Sequence, residues 1–230
     1  MGGATPKTLL PVGEKEPLLY YLLEGLKRAG VEDLLVVTGY KPMEVQNYVT
    51  EHWGAENLAF TWNARYASWG NFHTLRMALD QSPAFELLVI NSDIVVHPDV
   101  YRRAIRKDGD LLLAVQRRRD LEQEDMRVQL NGDNVVSVSK DLHMARSHGE
   151  FCGVSLLRGR AHRIYGDISN GWEWRADTTG YYEDVFNQMA GRLDMRAVQV
   201  AAGEYAEVDV PDDTDGALKV IERHFQASAA

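Results

Sequence analysis

Apolar and polar positions along this chain switch repeatedly between a helical and a strand period. Leu18, Leu19, Leu22, Leu23 and Leu26 recur at helical spacing behind Pro17, a residue favoured in a first turn, and predict a helix. AGVEDLLVVTGY follows, a glycine stop and then a Leu/Val-rich strand. KPMEVQNYVTEHW predicts a second helix, NLAFTW a strand, and residues 70–81 a third helix ending near Pro83. ELLVINSD is an apolar run with a polar end, the pattern of a strand buried on both faces. PDVYRRAIRK predicts a helix and DLLLAVQ another strand. This alternation points to an α/β protein built on a parallel, doubly wound sheet.

After residue 117 the rhythm changes. DMRVQLNGDNVVSVSK holds two alternating segments around Asn-Gly-Asp-Asn, a hairpin signal. GEFCGVSLL predicts a strand, residues 180–190 a helix, DMRAVQV and AEVDV two further strands, and PDDTDGALKVIERHF a closing helix. No internal repeat or linker interrupts the pattern, so residues 1–226 are expected to form one domain followed by a short tail, 227–230.

Composition narrows the function. The 230 residues are 45% hydrophobic, enough for one sizeable core. Asp plus Glu number 34 against 25 Lys plus Arg, a net charge of -9. With no basic block, this argues against sequence-independent nucleic-acid binding while leaving room for a locally positive pocket. The lone Cys152 lies in an apolar run and reads as a buried, inert thiol. No signal-peptide pattern and no apolar run of membrane-spanning length appear, and a cytoplasmic protein is expected.

In an open α/β sheet, ligands bind beyond the carboxyl ends of the strands. Thr38-Gly39-Tyr40, Asn91-Ser92-Asp93, Gln116 and Asp209 are therefore the positions to weigh. Asp93 follows a buried run and could hold a hard divalent cation, the alternative being a cap for the next helix. Asp209 ends another strand and could converge on the same ion, or could cap the closing helix in competition with Asp212 and Asp213. Lys7, behind Pro6, could neutralise a phosphate or simply be a surface lysine. The histidines lack metal-ligand spacing and read as structural, and Arg117–Arg119 reads as a solvated turn. NGWEWRADTTGYYEDVF interleaves Trp172, Trp174, Tyr181 and Tyr182 with Glu173, Asp177, Glu183 and Asp184. Aromatic faces beside carboxylates suit an ammonium group; core aromatics with a solvated acidic face are the other reading.

PKTLLPVGEKEPLLYYLLEGLKRAGVEDLLVVTGY, with NSD at 91–93 and EVDVPDDTDGA at 207–217, resembles the bacterial nucleotidyltransferases that join a nucleoside monophosphate to a phosphorylated small molecule. NARYASWGNFHTLRMALD, EQEDMRVQLNGDNVVSVSKDL, GEFCGVSLL and YYEDVF together resemble the phosphocholine-type cytidylyltransferase branch. The resemblance implies a three-layer, Rossmann-like nucleotidyltransferase fold with a mostly parallel mixed sheet, and cytidylyl transfer from CTP to a small amine-bearing phosphate or phosphonate. It further implies Mg2+ on Asp93 and Asp209, phosphate charge offset by Lys7 and Lys140, Asn71 and Thr74 near the base, and the acceptor's amine at Tyr182, Glu183 and Asp184. A sugar-1-phosphate nucleotidyltransferase and a non-catalytic nucleotide-binding domain are the alternatives; a homodimer is conceivable. The family opens with a strand and a glycine-rich phosphate loop ending in arginine, absent ahead of MGGATPK, so that strand and loop are expected upstream of Met1.

Overall fold

A computed structural model describes residues 5–82, 86–209 and 213–225. The first half runs α1 (Leu18–Ala29), β1 (Leu34–Thr38), α2 (Pro42–Trp53), β2 (Leu58–Trp62), α3 (Asn71–Gln81), β3 (Glu86–Ile90), β4 (Ile94–Val96), α4 (Pro98–Arg106) and β5 (Leu111–Gln116). The second half runs β6 (Arg127–Asn131), β7 (Asn134–Ser139), β8 (Gly149–Arg158), α5 (Arg160–Trp174), α6 (Tyr182–Met189), β9 (Met195–Val200), β10 (Tyr205–Glu207) and α7 (Thr214–His224). Local chemistry explains several boundaries. Gly30, at φ 81°, ends α1 in the left-handed conformation, its N–H returning to the Leu26 and Lys27 carbonyls. Pro98 starts α4 behind His97, whose side chain accepts the Asp99 N–H. α5 has no counterpart in the sequence reading, because RAHRIYGDISNGWEW carries two glycines and a weak apolar stripe.

Six strands form the main sheet in the order β3-β8-β5-β9-β7-β6, while β1-β2 and β4-β10 form separate two-stranded ladders. The α/β architecture with mixed sheets is as expected, but its parallel share is smaller. β1–β2 and β5–β9 run parallel. β8 is antiparallel to both neighbours, β3 and β5, and β6–β7 is an antiparallel hairpin. A ten-residue strand inserted between β3 and β5 reverses the ladder without changing the direction of either neighbour, so β3 and β5 still point the same way.

The period-2 alternation of β5 creates the layers. Leu111, Leu113 and Val115 face a cluster formed with Phe72 and Leu75 of α3, Tyr165 of α5 and Phe186 of α6. Ala114 faces the opposite cluster, which holds Leu19, Leu22, Leu23 and Leu26 of α1, Val49 of α2 and Tyr101 of α4. Each fully buried Leu of β5 contributes on the order of 1.5–3 kcal/mol of apolar burial. β3, expected to be buried on both faces, is only half-buried: among the described residues it has a ladder partner on one side alone, β8. β1 is likewise half-buried along its apolar residues and, among the described residues, is paired only with β2. Both strands nonetheless pack on the α1 cluster, through Leu34 and Val36 of β1 and Leu88 and Ile90 of β3.

Candidate active site

The β4–β10 ladder determines which side chains meet. Glu207 lies opposite Ile94, and one step on the Val208 N–H donates to the Asp93 carbonyl at 2.9 Å. Residues more than a hundred positions apart are thereby clamped at the end of β3. One carboxylate oxygen each from Asp93, Glu207 and Asp209 lies within 4.8 Å of the others. Asp93 and Asp209 were anticipated; Glu207 was not. In the predicted strand AEVDV it stands two residues before Asp209, on the same expected face, a signal the sequence carried; β10 itself ends at Glu207.

Lys7 completes the group. It lies in a 3₁₀ turn, Lys7–Leu9, tied down by a Thr8 Oγ1 hydrogen bond to the Ser92 carbonyl at 3.1 Å. Its Nζ donates to Asp209 Oδ1 at 2.7 Å and lies 3.6 Å from Asp93 Oδ2. Partial burial opposes its charge, but the Asp209 hydrogen bond and the charges of Asp93, Asp209 and Glu207 outweigh it and raise its pKa. Glu207 is pushed up by burial, then by Asp93 and Asp209. The buried Asp93 Oδ1 has no hydrogen-bond partner among the described residues. Three convergent carboxylates with an orphaned buried oxygen fit a hard divalent cation such as Mg2+, with all-oxygen ligation. Neither aspartate caps a helix: His97 precedes α4, and Asp213 precedes α7 while accepting the Asp209 N–H at 2.8 Å.

Behind Glu207 lies a network that sequence reasoning missed. Tyr205 Oη donates to Glu207 Oε2 at 3.0 Å and lies 3.5 Å from Glu150 Oε1. Arg118 Nε is 3.0 Å from Glu150 Oε2, and its Nη2 donates to Asp125 at 2.7 Å. Arg118 is therefore anchored rather than solvated. Burial, only partly offset by Arg118, pushes Glu150 up to about 7.

A second group lies at the start of α6. The Tyr182 Oη donates to Asn91 Oδ1 at 2.7 Å, joining this group to the strand end that carries Asp93. Glu183 is buried, with an unpartnered Oε2, and desolvation pushes it up to about 7. Asp184 has a structural task, accepting the Tyr181 N–H at 2.8 Å. Lys140, at the end of β7, stands 5.5 Å over the Tyr181 ring. Its charge acts on Glu183. Of the aromatic stretch, Trp172 and Tyr182 are core residues, Trp174 is almost fully exposed, and Tyr181 is half-exposed beside the group.

Asn71 and Thr74 hold this end of the molecule together. Asn71 Oδ1 accepts the Tyr182 N–H at 2.8 Å, fastening α6 to α3. Thr74 Oγ1 accepts from the buried Asn63 at 3.0 Å. Asn63 in turn donates its backbone N–H to the Thr38 carbonyl and accepts the Arg65 N–H, linking the carboxyl ends of β1 and β2. Gly70 permits a close crossing nearby, since a Cβ there would stand 1.9 Å from the Gly180 carbonyl oxygen. Cys152 is buried, its thiol pushed up by desolvation. His97 and His143 each accept a nearby backbone N–H, and His73 pairs with Glu173. No helix among the described residues is long and apolar enough to cross a membrane.

Residues 1–150 match the MobA-like NTP transferase domain, and the chain belongs to that family. It is 29% identical over 103 residues to the choline-phosphate cytidylyltransferase of Streptococcus pneumoniae, covering 45% of this chain but only 42% of that protein. It is 22% identical over 223 residues to the D-glycero-alpha-D-manno-heptose 1-phosphate guanylyltransferase of Aneurinibacillus thermoaerophilus, covering 96% of this chain and 91% of that protein. Among solved structures, the inositol-1-phosphate CTP transferase of T. maritima superposes with a TM-score of 0.79 at 17% identity, covering 96% of this chain and 89% of the other. The CTP:phosphocholine cytidylyltransferase of Streptococcus pneumoniae does so with a TM-score of 0.74 at 22% identity, covering 95% and 90%.

Proposed function

We propose that this NTP transferase transfers CMP from CTP to a small acceptor that carries a phosphate or phosphonate and an amine. The observation that carries the reading is the convergence of Asp93, Glu207, Asp209 and Lys7 at one strand end. An oxygen of the acceptor's phosphate or phosphonate attacks the α-phosphorus of CTP, the α–β phosphoanhydride bond breaks, and pyrophosphate leaves. Positioning and charge stabilisation dominate such a reaction. When bound, Mg2+ neutralises the charge on the reacting phosphates; Asp93, Glu207 and Asp209 would hold it. Lys7 donates hydrogen bonds to the phosphate oxygens. On the acceptor side, Glu183 and the Tyr181 face receive the ammonium. Asn71 and Thr74 shape the nucleotide's surroundings through their ties to Tyr182 and Asn63.

The test is pyrophosphate release from CTP, UTP, GTP and ATP with Mg2+, using phosphocholine, 2-aminoethylphosphonate, phosphoethanolamine and glucose-1-phosphate as acceptors. The reading expects CTP and an amine-bearing acceptor to be preferred. Preference for glucose-1-phosphate with any nucleotide would replace it with a sugar-1-phosphate activity, which the nearly full-length alignment to a heptose-phosphate guanylyltransferase favours. Asp93→Ala should lower turnover by on the order of a hundredfold or more; full activity in that variant would sink the metal assignment.

A further inference from the structure

We propose that Lys7 makes the binding of metal and nucleotide mutually dependent: its ammonium competes with the divalent ion for Asp93 and Asp209, and the nucleotide's phosphates draw it away. The inference rests on the metal site of the preceding section. The Lys7 Nζ donates to Asp209 Oδ1 at 2.7 Å and stands 3.6 Å from Asp93 Oδ2. These aspartates are two of the three carboxylates that converge within 4.8 Å. The third, Glu207, has a different partner, its Oε2 accepting from Tyr205 at 3.0 Å. Lys7 thus bridges two of the three groups that would hold the ion.

The backbone of Lys7 is fixed while its head is free to move. The Leu9 and Leu10 N–H groups return to the Pro6 and Lys7 carbonyls at 2.8 and 3.0 Å, and Thr8 is tied to Ser92, the residue before Asp93. The side chain itself is 42% exposed on a flexible four-carbon stem, so the ammonium can leave the carboxylates without leaving the site. A divalent ion and an ammonium repel one another if they share the same carboxylates. Three carboxylates against one ammonium keep the group anionic, so the ion is still attracted, but it must displace the Lys7 contacts. A triphosphate changes the balance, because its oxygens offer Lys7 another anion and release the aspartates. By linkage, the factor that the nucleotide adds to the ion's affinity is the factor that the ion adds to the nucleotide's. The protein therefore takes the two together and resists loading by the free ion alone.

The experiment measures Mn2+ affinity by electron paramagnetic resonance, with and without CTP. It also follows the Lys7 ε-methylene signal in lysine-labelled protein by NMR as diamagnetic Mg2+ is added, the signal being assigned by its loss in Lys7→Met. In the wild type, Mg2+ alone should shift the Lys7 signal, and CTP should raise the Mn2+ affinity. Lys7→Met should bind Mn2+ alone about fivefold tighter, the worth of an exposed ion pair at the upper end of its usual range. The rise that CTP brings should be smaller in that variant by the same factor. Lys7→Arg, which keeps the charge, should show no gain. If Mn2+ binds but Lys7→Met binds it no tighter, or if saturating Mg2+ leaves the Lys7 signal in place, the competition is overturned while the metal site stands. If Mn2+ binds equally weakly to the wild type, Lys7→Met and Asp93→Ala, the metal site falls and the competition falls with it.

Discussion

Replacing Glu183 by Gln should make the protein more stable at alkaline pH and leave its relative stability unchanged at acid pH. Glu183 is buried near Tyr165 and Tyr182, and burial is the main reason its pKa rises from an ordinary 4.5 to about 7. A carboxyl that holds its proton more tightly when folded costs nothing while both states are protonated, below about pH 4.5. The cost grows as pH rises and is complete once the folded group ionises, above about 7. The gap between the two values corresponds to about 3 kcal/mol at about 1.4 kcal/mol per tenfold. Glutamine keeps the shape and never ionises, so it escapes this cost; any packing penalty for its amide is independent of pH. The assay is urea unfolding of both proteins from pH 4 to 8.5, taking the difference at each pH so that Glu150, also pushed up to about 7, cancels. The difference should climb by about 3 kcal/mol in favour of the variant. A flat difference would refute the argument that an uncompensated buried carboxylate sits here. The same variant should bind choline more weakly, because the ionised form that destabilises the fold is the one that attracts a cation.

Three further outcomes follow from the geometry. Tyr205→Phe removes the donor to Glu207 at 3.0 Å and should weaken Mn2+ binding, measured by electron paramagnetic resonance, by about tenfold, with little change in unfolding free energy; unaltered Mn2+ affinity would show that Glu207 needs no support. Gly70→Ala drives a methyl into the Gly180 carbonyl and should lower stability by about 1–3 kcal/mol, read as a drop in thermal midpoint of several degrees. Backbone amides of β1 and β3, each laddered on one side only among the described residues, should exchange with deuterium faster than those of β5, which is laddered on both sides and apolar but for Gln116; equal protection would mean that the open edges are covered in solution.

How far the sequence could be read depended on the distance over which each feature is determined. β5, α1 and the hairpin at Gly132 are set by local period and turn chemistry, and all are where the pattern puts them. The direction of β8 is not local. Its apolar run is the same whether its neighbours run with it or against it, so the antiparallel insertion between β3 and β5 was invisible. α5 was hidden for the opposite reason, because local propensity is poor and tertiary burial of Tyr165 and Trp172 carries the helix.

The candidate site divides along the same line. Asp93 and Asp209 stand out because each ends a strand, and strand ends are where an α/β sheet presents chemistry. That Glu207 and Lys7 meet the two aspartates is decided by the β4–β10 ladder and the Thr8–Ser92 bond, which are pairings between distant segments. Asn71 and Asp184 show the converse. Both were marked as ligand-binding from their motifs, yet the atoms described here are committed to fastening α6, one through the Tyr182 N–H and the other through the Tyr181 N–H. That commitment bears on function. Because both bonds converge on the first turn of α6, they fix Tyr181 and Glu183 relative to Asn91, and through Tyr182 relative to Asp93. A motif residue that fastens a helix can thus set the spacing between the two halves of the candidate site, and substituting Asn71 should disturb acceptor and metal affinities together rather than either alone.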